Sequence, residues 1–170
     1  RFPRESVEYE HLTAAASDSR NTADKLRDIV SIINPEHDAS HDFIIRMQRA
    51  ASDLLIRIPY SFTAPDDFPE SFHPEFRWNL LLMFREILHN IVKHAQATRV
   101  EIVLEAAAGF LTLKVTDNGV GFDLQDEKYR SGNGLMSLKH RSEKIVGNIE
   151  FTSSVGNGTA VNFRAKIPRS

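Results

Sequence analysis

Residues 110–122, FLTLKVTDNGVGF, form a strand pattern that ends on an acid. The apolar residues of this stretch alternate with polar ones, as in a strand with one buried face, and Asp117 has the parity of that face. A carboxylate on the apolar side is costly to bury unless a hydrogen-bond donor meets it. Asn118-Gly119 alone would indicate a hairpin turn, but no clear return strand follows directly. Two interpretations stay open: a simple turn, or the floor of a binding site.

The segments around this strand predict an α+β fold. A long helix is predicted over 75–97, a strand over 99–104 and a turn near Gly109 that leads into the strand at 110–117. A helix at 134–146, stopped by Gly147-Asn148, and a pair of strands at 149–153 and 159–167 complete the chain. We expect a two-layer sandwich with helices on one face of a mixed, mostly antiparallel sheet.

Upstream of these elements the sequence predicts further helices. Residues 1–33 form an N-terminal helix with one narrow apolar stripe, which ends at Asn34-Pro35 because a residue before proline avoids the α region. So narrow a stripe indicates packing against a partner helix. A second helix begins near Ser40, a short strand follows around 55–58, and a proline-containing loop leads to the long helix.

The long helix has two chemically different faces. Glu86, Asn90, Lys93 and His94 share one side of a helical wheel, and we call them the polar stripe. The opposite, buried side is predicted to carry Phe84, Ile87, Leu88, Ile91, Val92 and Ala95. Taken alone, this pattern also fits an ordinary amphipathic helix whose polar stripe is solvated.

Two further features point to a polar ligand under the helices. Thr159 has the parity of the apolar residues in its strand and therefore faces inward, as Asp117 does. Gly132-Asn133-Gly134 precedes the predicted helix at 134–146, where free backbone N–H groups and the helix dipole favour an anion. The alternatives are a flexible N-terminal loop for these glycines and a solvated face for the basic residues at 139–141.

Composition excludes several other classes. The chain has 170 residues, of which 41% are hydrophobic and 26% charged, with a net charge of −2, as in an ordinary soluble domain without a nucleic-acid partner. The absence of cysteine excludes disulfides and cysteine-based zinc sites. The apolar runs are too short to span a bilayer and no signal peptide is evident.

Together these stretches resemble the ATP-binding catalytic domain of sensor histidine kinases, in the superfamily that includes gyrase, the HSP90 chaperones and the MutL repair proteins. The likeness runs over about 76–168. EILHNIVKHA (86–95) resembles the family's N box, and DNGVGF (117–122) and SGNGLMSLKHR (131–141) its two glycine boxes. GNGTAVNF (156–163) resembles the closing Gly-Thr segment. KHAQATRVEI (93–102) and the short lid between Gly121 and Gly134 are similar to those of the kinases related to nitrate and membrane-fluidity sensors.

The resemblance implies a role for each matching residue. Asp117 would accept a hydrogen bond from the adenine amine with Thr159 beside it, and Asn90 would ligate Mg²⁺. The implied catalytic residues are Glu86, Asn90 and Lys93, although the need for Glu86 as a base is left open. The residues implied to bind ATP are Asn90, Lys93, His94, Asp117, Gly119, Gly121, Gly132, Asn133, Gly134, Leu135 and Thr159.

The resemblance also implies an organisation. Residues 1–34 would end a dimerisation region and 35–170 would form the catalytic domain of a homodimeric protein, on the cytoplasmic side of a membrane-bound sensor. The phosphoacceptor histidine would lie in a dimerisation domain outside this chain, since His41-Asp42 occupies the wrong segment and His11 lacks an acidic neighbour on its C-terminal side. A response regulator would be a further partner. A serine kinase of the anti-sigma type and a nucleotide-gated interaction module remain alternatives on the same fold.

Overall fold

A computed structural model describes residues 40–66, 68, 73–126 and 133–168. The predicted helix over 1–33 and the predicted boundary between 34 and 35 lie outside these residues. In chain order the elements are α1 (Ser40–Leu54), β1 (Tyr60–Thr63), α2 (Pro74–Asn90), β2 (Val100–Ala107), β3 (Phe110–Asp117), α3 (Asn133–Lys144), β4 (Gly147–Ser153) and β5 (Thr159–Lys166).

The five strands form one sheet in the order β1-β2-β3-β5-β4. Strand β1 pairs with β2 in parallel, and every other pair is antiparallel. The strands alternate between buried and exposed side chains, so only one face of the sheet packs against the helices. The predicted two-layer α+β sandwich with a mixed, mostly antiparallel sheet is confirmed.

The core lies between the helices and the inner face of the sheet. Phe84 of α2 is fully buried and packs edge-to-face with Phe62, with 6.3 Å between the ring centroids. This contact joins α2 to the edge strand β1. The other large side chains that lose essentially all their exposure come from both layers: Met47, Leu55, Leu80, Met83, Leu88, Ile102, Leu104, Leu111, Leu113 and Phe163.

The prediction of a short strand at 55–58 is wrong. The Leu55 N–H donates to the Ala51 carbonyl and the Ile58 N–H donates to the Leu55 carbonyl, both at 2.8 Å, so these residues end α1 and form a turn. The strand follows Pro59 instead, because Tyr60–Thr63 can pair in parallel with β2. A local apolar run does not reveal this pairing with a distant strand.

The long helix changes geometry at its end. After Asn90 the residues Ile91–Ala95 form a π-helical turn, and Gln96 then adopts a left-handed conformation with φ 51°. A π turn holds more residues than an α turn, so the helical wheel loses its register there. Val92, predicted on the buried side, is therefore 47% exposed, while Ile91 and Ala95 remain buried.

Candidate functional site

The floor of the site is a row of polar side chains across three strands. Asp117 of β3 pairs with Thr159 of β5, and Thr159 pairs with Ser153 of β4. We call these three residues the floor row. On the same face of the sheet, the next row along these strands is apolar and consists of Val115, Val161 and Phe151. The polar row thus lies at the end of the sheet where the core stops.

Asp117 is the buried acid that the strand pattern predicts. It is 5% exposed, and its Oδ1 accepts a hydrogen bond of 2.8 Å from the Gly119 backbone N–H. Burial raises the pKa of the Asp117 carboxyl above its ordinary value, while hydrogen bonds from the backbone N–H groups of Gly119 and Thr159 offset part of that rise. A carboxylate can accept more hydrogen bonds than these, so a donor entering the site would stabilise its charged form.

A cavity of about 450 Å³ opens above this floor. That volume is within the usual range for small-molecule sites, and the walls are mostly apolar with a few polar groups. The lining comes from α2 and its π turn, β3 and the loop after it, α3, β4 and β5: Ile87, Asn90, Ile91, His94, Ala95, Val115, Asp117, Val120, Gly121, Phe122, Gly134, Leu135, Leu138, Phe151, Thr159 and Val161.

The first turn of α3 lies against the polar stripe. A Cβ atom built on Gly134 would be 3.1 Å from Glu86 Oε1 and 3.5 Å from Asn90 Oδ1. These distances are tight for a methyl group, so the missing side chain of Gly134 lets the start of α3 approach the two polar side chains. The N-terminus of this 12-residue helix and the amide of Asn90 therefore meet at one end of the cavity.

The loop after Asp117 packs backbone against backbone. A Cβ atom on Gly119 would lie 2.1 Å from the Ala95 carbonyl oxygen, and one on Gly121 would lie 2.1 Å from the Ser154 carbonyl oxygen. The Val120 N–H donates to the Ala95 carbonyl at 2.7 Å. These glycines let the loop lie between the π turn and residues 154–158, which we call the β4–β5 turn. That packing fixes the position of Asp117.

The structure brings most of the predicted site residues together. Those that line the cavity are Asn90, His94, Asp117, Gly121, Gly134, Leu135 and Thr159. Glu86 lies beside Gly134, whereas Gly119 is buried under Ala95 and Lys93 is exposed on the π turn, and neither of the last two lines the cavity. Asn133 begins α3 and His41 lies in the first turn of α1, while Gly132 and His11 are outside the described residues.

Ser153 and the apolar walls of the cavity were not predicted from the sequence. Ser153 shares the parity of Ile149 and Phe151 in β4, which was the available signal that its hydroxyl faces inward. The walls come from residues such as Ile87 and Leu138, whose apolar character looks the same in a filled core and in a cavity wall. Only the placement of α3 over the sheet distinguishes the two.

Within 40–66, 68, 73–126 and 133–168, no three His, Cys, Asp or Glu side chains are grouped so as to hold a metal ion. Two side-chain oxygens that could ligate an ion lie beside Gly134 at the start of α3, the Asn90 amide oxygen and the Glu86 carboxylate. Such a sparse set fits an ion like Mg²⁺, which keeps several waters and takes its other ligands from bound phosphates. No helix among these residues is long and apolar enough to cross a membrane.

Comparison with known proteins identifies relatives of this region. Residues 78–169 match a family model described as histidine kinase-, DNA gyrase B- and HSP90-like ATPase. The histidine-protein kinase/phosphatase DegS of Bacillus subtilis strain 168 is 31% identical over 99 residues, which are 57% of this chain and 25% of DegS. The sensor histidine kinase LiaS of the same strain is 36% identical over 89 residues, 52% of this chain and 24% of LiaS. This chain thus matches about a quarter of the length of these relatives.

Solved structures show the same architecture. The histidine kinase domain of the blue-light activated histidine kinase EL346 from Erythrobacter litoralis superimposes with a TM-score of 0.62 at 21% identity. That match covers 81% of this chain and 67% of the other. At this level of identity the likeness supports the fold.

Proposed function

This chain belongs to the histidine kinase-, DNA gyrase B- and HSP90-like ATPase family, and we propose on that premise that it carries the ATP-binding catalytic domain of a two-component sensor histidine kinase. Residues 35–170 would form this domain and 1–34 the end of the dimerisation region. The observation that supports the proposal best is the buried Asp117 on the floor of an apolar cavity of about 450 Å³. An acid in that position needs a donor, and the adenine amine is one.

The adenine would lie over the floor row. Asp117 would accept a hydrogen bond from the exocyclic amine, and Thr159, its neighbour across β3 and β5, would support the same edge. Apolar walls such as Ile91 and Leu135 suit the faces of a flat aromatic ring. An adenine seated between these apolar walls would exclude water from the charge-assisted hydrogen bond to Asp117 and so strengthen it.

The phosphates would lie at the other end of the cavity, where α3 begins. The first turn of α3 presents backbone N–H groups near Asn133 and Leu135 that would bind a phosphate, as helix N-termini generally do with anions. The missing side chain of Gly134 would let a phosphate approach this backbone closely, and the resemblance assigns Gly132 the same role. Lys93 and His94 are on the adjacent π turn and would contribute positive charge or hydrogen bonds to the phosphates. Mg²⁺ held by the Asn90 oxygen and by phosphate oxygens would neutralise charge during transfer.

The reaction would move the γ-phosphoryl group from ATP to a histidine of a dimerisation domain outside this chain. An imidazole nitrogen forms the new bond to phosphorus as the bond to the β–γ bridging oxygen breaks, and ADP leaves. The protein contributes mainly by positioning the reactants and neutralising charge. Glu86, beside Gly134 at the phosphate end, can orient the incoming group, since a neutral imidazole needs little help from a base.

The remaining features of the full protein follow from the same proposal. It would be a homodimer, so that the catalytic domain can reach an acceptor histidine in its own or the sister subunit. A response regulator would then take the phosphoryl group from that histidine. The chain would lie on the cytoplasmic side of a membrane-bound sensor, and neither His41 nor His11 would be its acceptor.

Calorimetric titration with Mg-ATP tests the binding step. We expect saturable one-to-one binding tighter than millimolar, with Asn at position 117 lowering the affinity roughly tenfold to a hundredfold. The Asp117→Asn change replaces an acceptor by an amide that can present a donor to the adenine amine. Equal affinities of the two proteins would remove Asp117 from the site, and no binding by the unmodified chain would reject the proposal.

A labelling experiment tests the transfer step. With γ-labelled ATP, we expect no acid-labile label on this chain alone and label on a separately supplied dimerisation domain. Tight Mg-ATP binding without any transfer would instead favour the nucleotide-gated interaction module. Label recovered on His41 would show that the acceptor has been misassigned.

A further inference from the structure

The Ser153 hydroxyl lies at a junction of three segments. Its Oγ accepts a hydrogen bond of 2.9 Å from the Phe122 backbone N–H in the loop after β3. It lies 2.9 Å from the Gly158 carbonyl oxygen and 3.0 Å from the Thr159 hydroxyl oxygen. Phe122 and Thr159 both line the cavity, whereas Ser153 itself lies one strand further along the floor row.

The single proton of the Ser153 hydroxyl fixes the direction of these hydrogen bonds. A hydroxyl group has one proton to donate and two lone pairs that accept. The Gly158 carbonyl can only accept, so the Ser153 proton goes to it. Ser153 then has no proton left for Thr159, and the contact between the two hydroxyls requires Thr159 to be the donor. The Thr159 proton therefore points away from the cavity, and only its lone pairs remain for a ligand.

We propose that Ser153 is a positioning residue that sets the purine preference of the site by holding Thr159 as an acceptor. This inference rests on the proposed nucleotide site. Asp117 and Thr159 are cross-strand neighbours, so the floor presents two acceptors side by side, one of them charged. Such an edge favours a base with an exocyclic amine, directly or through a water, over one with a carbonyl at the same place.

Removing the Ser153 hydroxyl should relax this preference. In Ser153→Ala the Thr159 hydroxyl loses its acceptor and can turn its proton toward the cavity. The floor then offers a donor to a carbonyl and a poorer acceptor to an amine. We expect the ratio of ATP to inosine triphosphate affinity to fall roughly threefold to tenfold, the worth of about one hydrogen bond.

The test is a titration of the whole chain with Mg-ATP and with its inosine counterpart, in which a carbonyl replaces the amine. Ser154→Ala is the matched control, because Ser154 is the next residue and is exposed. Its hydroxyl accepts a hydrogen bond from Asn157 Nδ2 at 3.0 Å within the β4–β5 turn. We expect Ser154→Ala to leave the affinity ratio unchanged. An equal fall in both serine variants would overturn the inference.

A double mutant separates Thr159 from the loop at Phe122. Thr159→Val keeps the shape of the side chain and removes its hydroxyl, so adding Ser153→Ala in that background should leave the affinity ratio where Thr159→Val put it. If Ser153→Ala still lowers the ratio of ATP to inosine triphosphate affinity in the Thr159→Val protein, Ser153 acts through the Phe122 N–H and the inference fails. Ser153→Cys keeps a weak donor and acceptor and should give an intermediate ratio, which provides a second measurement if the alanine variant does not fold.

The outcomes distinguish the two proposals. An unmodified chain that binds neither nucleotide rejects the nucleotide site itself. An unmodified chain that prefers ATP, together with a Ser153→Ala variant of unchanged ratio, rejects only the role of Ser153.

Discussion

The two ends of β3 both carry glycine, for different physical reasons. At its start, Gly109 has a positive φ of 77° in the turn from β2, and a Cβ atom there would meet nothing within 4 Å. At its end, Gly119 has no space for a Cβ because of the Ala95 carbonyl, and Gly121 has both a positive φ of 59° and a contact with the Ser154 carbonyl. The open end needs glycine for its backbone conformation, while the crowded end needs it mainly for space.

The difference suits the crowded end to the candidate site. Backbone-to-backbone packing leaves the loop after Asp117 no freedom to move without shifting the π turn or the β4–β5 turn. Asp117 is thereby held under the cavity with its Oδ1 already bonded to the Gly119 N–H. A preorganised acceptor of this kind binds a donor at little cost in conformational entropy.

Alanine substitutions at the three glycines should separate space from conformation. Gly109→Ala meets only the left-handed backbone penalty and should lower the free energy of unfolding by about 1–2 kcal/mol. Gly119→Ala introduces only crowding and should lower the free energy of unfolding by about 1–3 kcal/mol or more. Gly121→Ala combines the left-handed backbone penalty with crowding, so it should lower the free energy of unfolding the most, by about 2–5 kcal/mol. Urea unfolding of the three variants measures the order.

Gly109→Ala is the internal control in that series, because its positive φ resembles that of Gly121 without the contact. Equal losses at 109 and 121 would mean that the loop after Asp117 relaxes freely. Crowding at the end of β3 would then add no measurable cost beyond that of the backbone conformation.

Much of this arrangement could be predicted from local sequence. The alternation over 110–117 placed Asp117 on the inner face, because parity in a strand is a property of the residues themselves. The same is true of Thr159 and of the polar stripe as far as Asn90. The order of helices and strands then follows, since helices with one apolar side and strands with one apolar face are buried together only by stacking the two layers.

The parts that could not be predicted depend on residues far apart in the chain. The partner of β1 is β2, and an isolated apolar run at 55–58 does not show it. The π turn after Asn90 changes the register of the helical wheel, and the sequence of Ile91–Ala95 gives no local warning of it. The atoms that crowd Gly119 and Gly121 belong to Ala95 and Ser154, so the sequence could suggest that these glycines shape a loop without showing what they pack against.

A smaller effect is expected from the Asn118 side chain, which ties the crowded end to the residues just before β2. Asn118 Oδ1 accepts hydrogen bonds from the backbone N–H groups of Thr98 at 3.0 Å and of Arg99 at 2.8 Å. Asn118 is exposed, so water can replace part of these bonds in Asn118→Ala. We expect the free energy of unfolding to fall by about 1–2 kcal/mol, with Mg-ATP affinity nearly unchanged because Asn118 does not line the cavity.

Asn157→Ala is the comparison for that variant. Asn157 is also exposed, but its side chain donates to Ser154 Oγ and to the Val155 carbonyl, which both belong to its own turn. Asn157→Ala should therefore lower the free energy of unfolding less than Asn118→Ala does in the same experiment. The reverse order would show that the tie between the loop and β2 adds little to the crowded end.

The smallest expected effect is a pH trend that comes from Asp117 itself. Burial raises the pKa of this carboxyl in the folded chain, so the folded state binds its proton more tightly than the unfolded state does. The stabilisation from this proton is complete below the unfolded pKa of about 3.9. It is lost as the pH rises through the folded pKa, above which the folded chain carries a buried charge at a constant cost.

Asp117→Asn removes that charge and keeps an oxygen for the Gly119 N–H, so the empty variant should gain stability relative to the unmodified chain as the pH rises from about 4 to neutrality. Urea unfolding without nucleotide across this interval measures the gain. Asp123→Asn is the matched control, because Asp123 Oδ1 accepts the Gln125 N–H at 2.8 Å in the same two-residue pattern but is exposed. A trend shared by both variants would mean that burial at the crowded end is not its cause. A trend confined to position 117 would show that the residue proposed to hold adenine lowers the stability of the protein without nucleotide, as expected of a group kept for binding and not for stability.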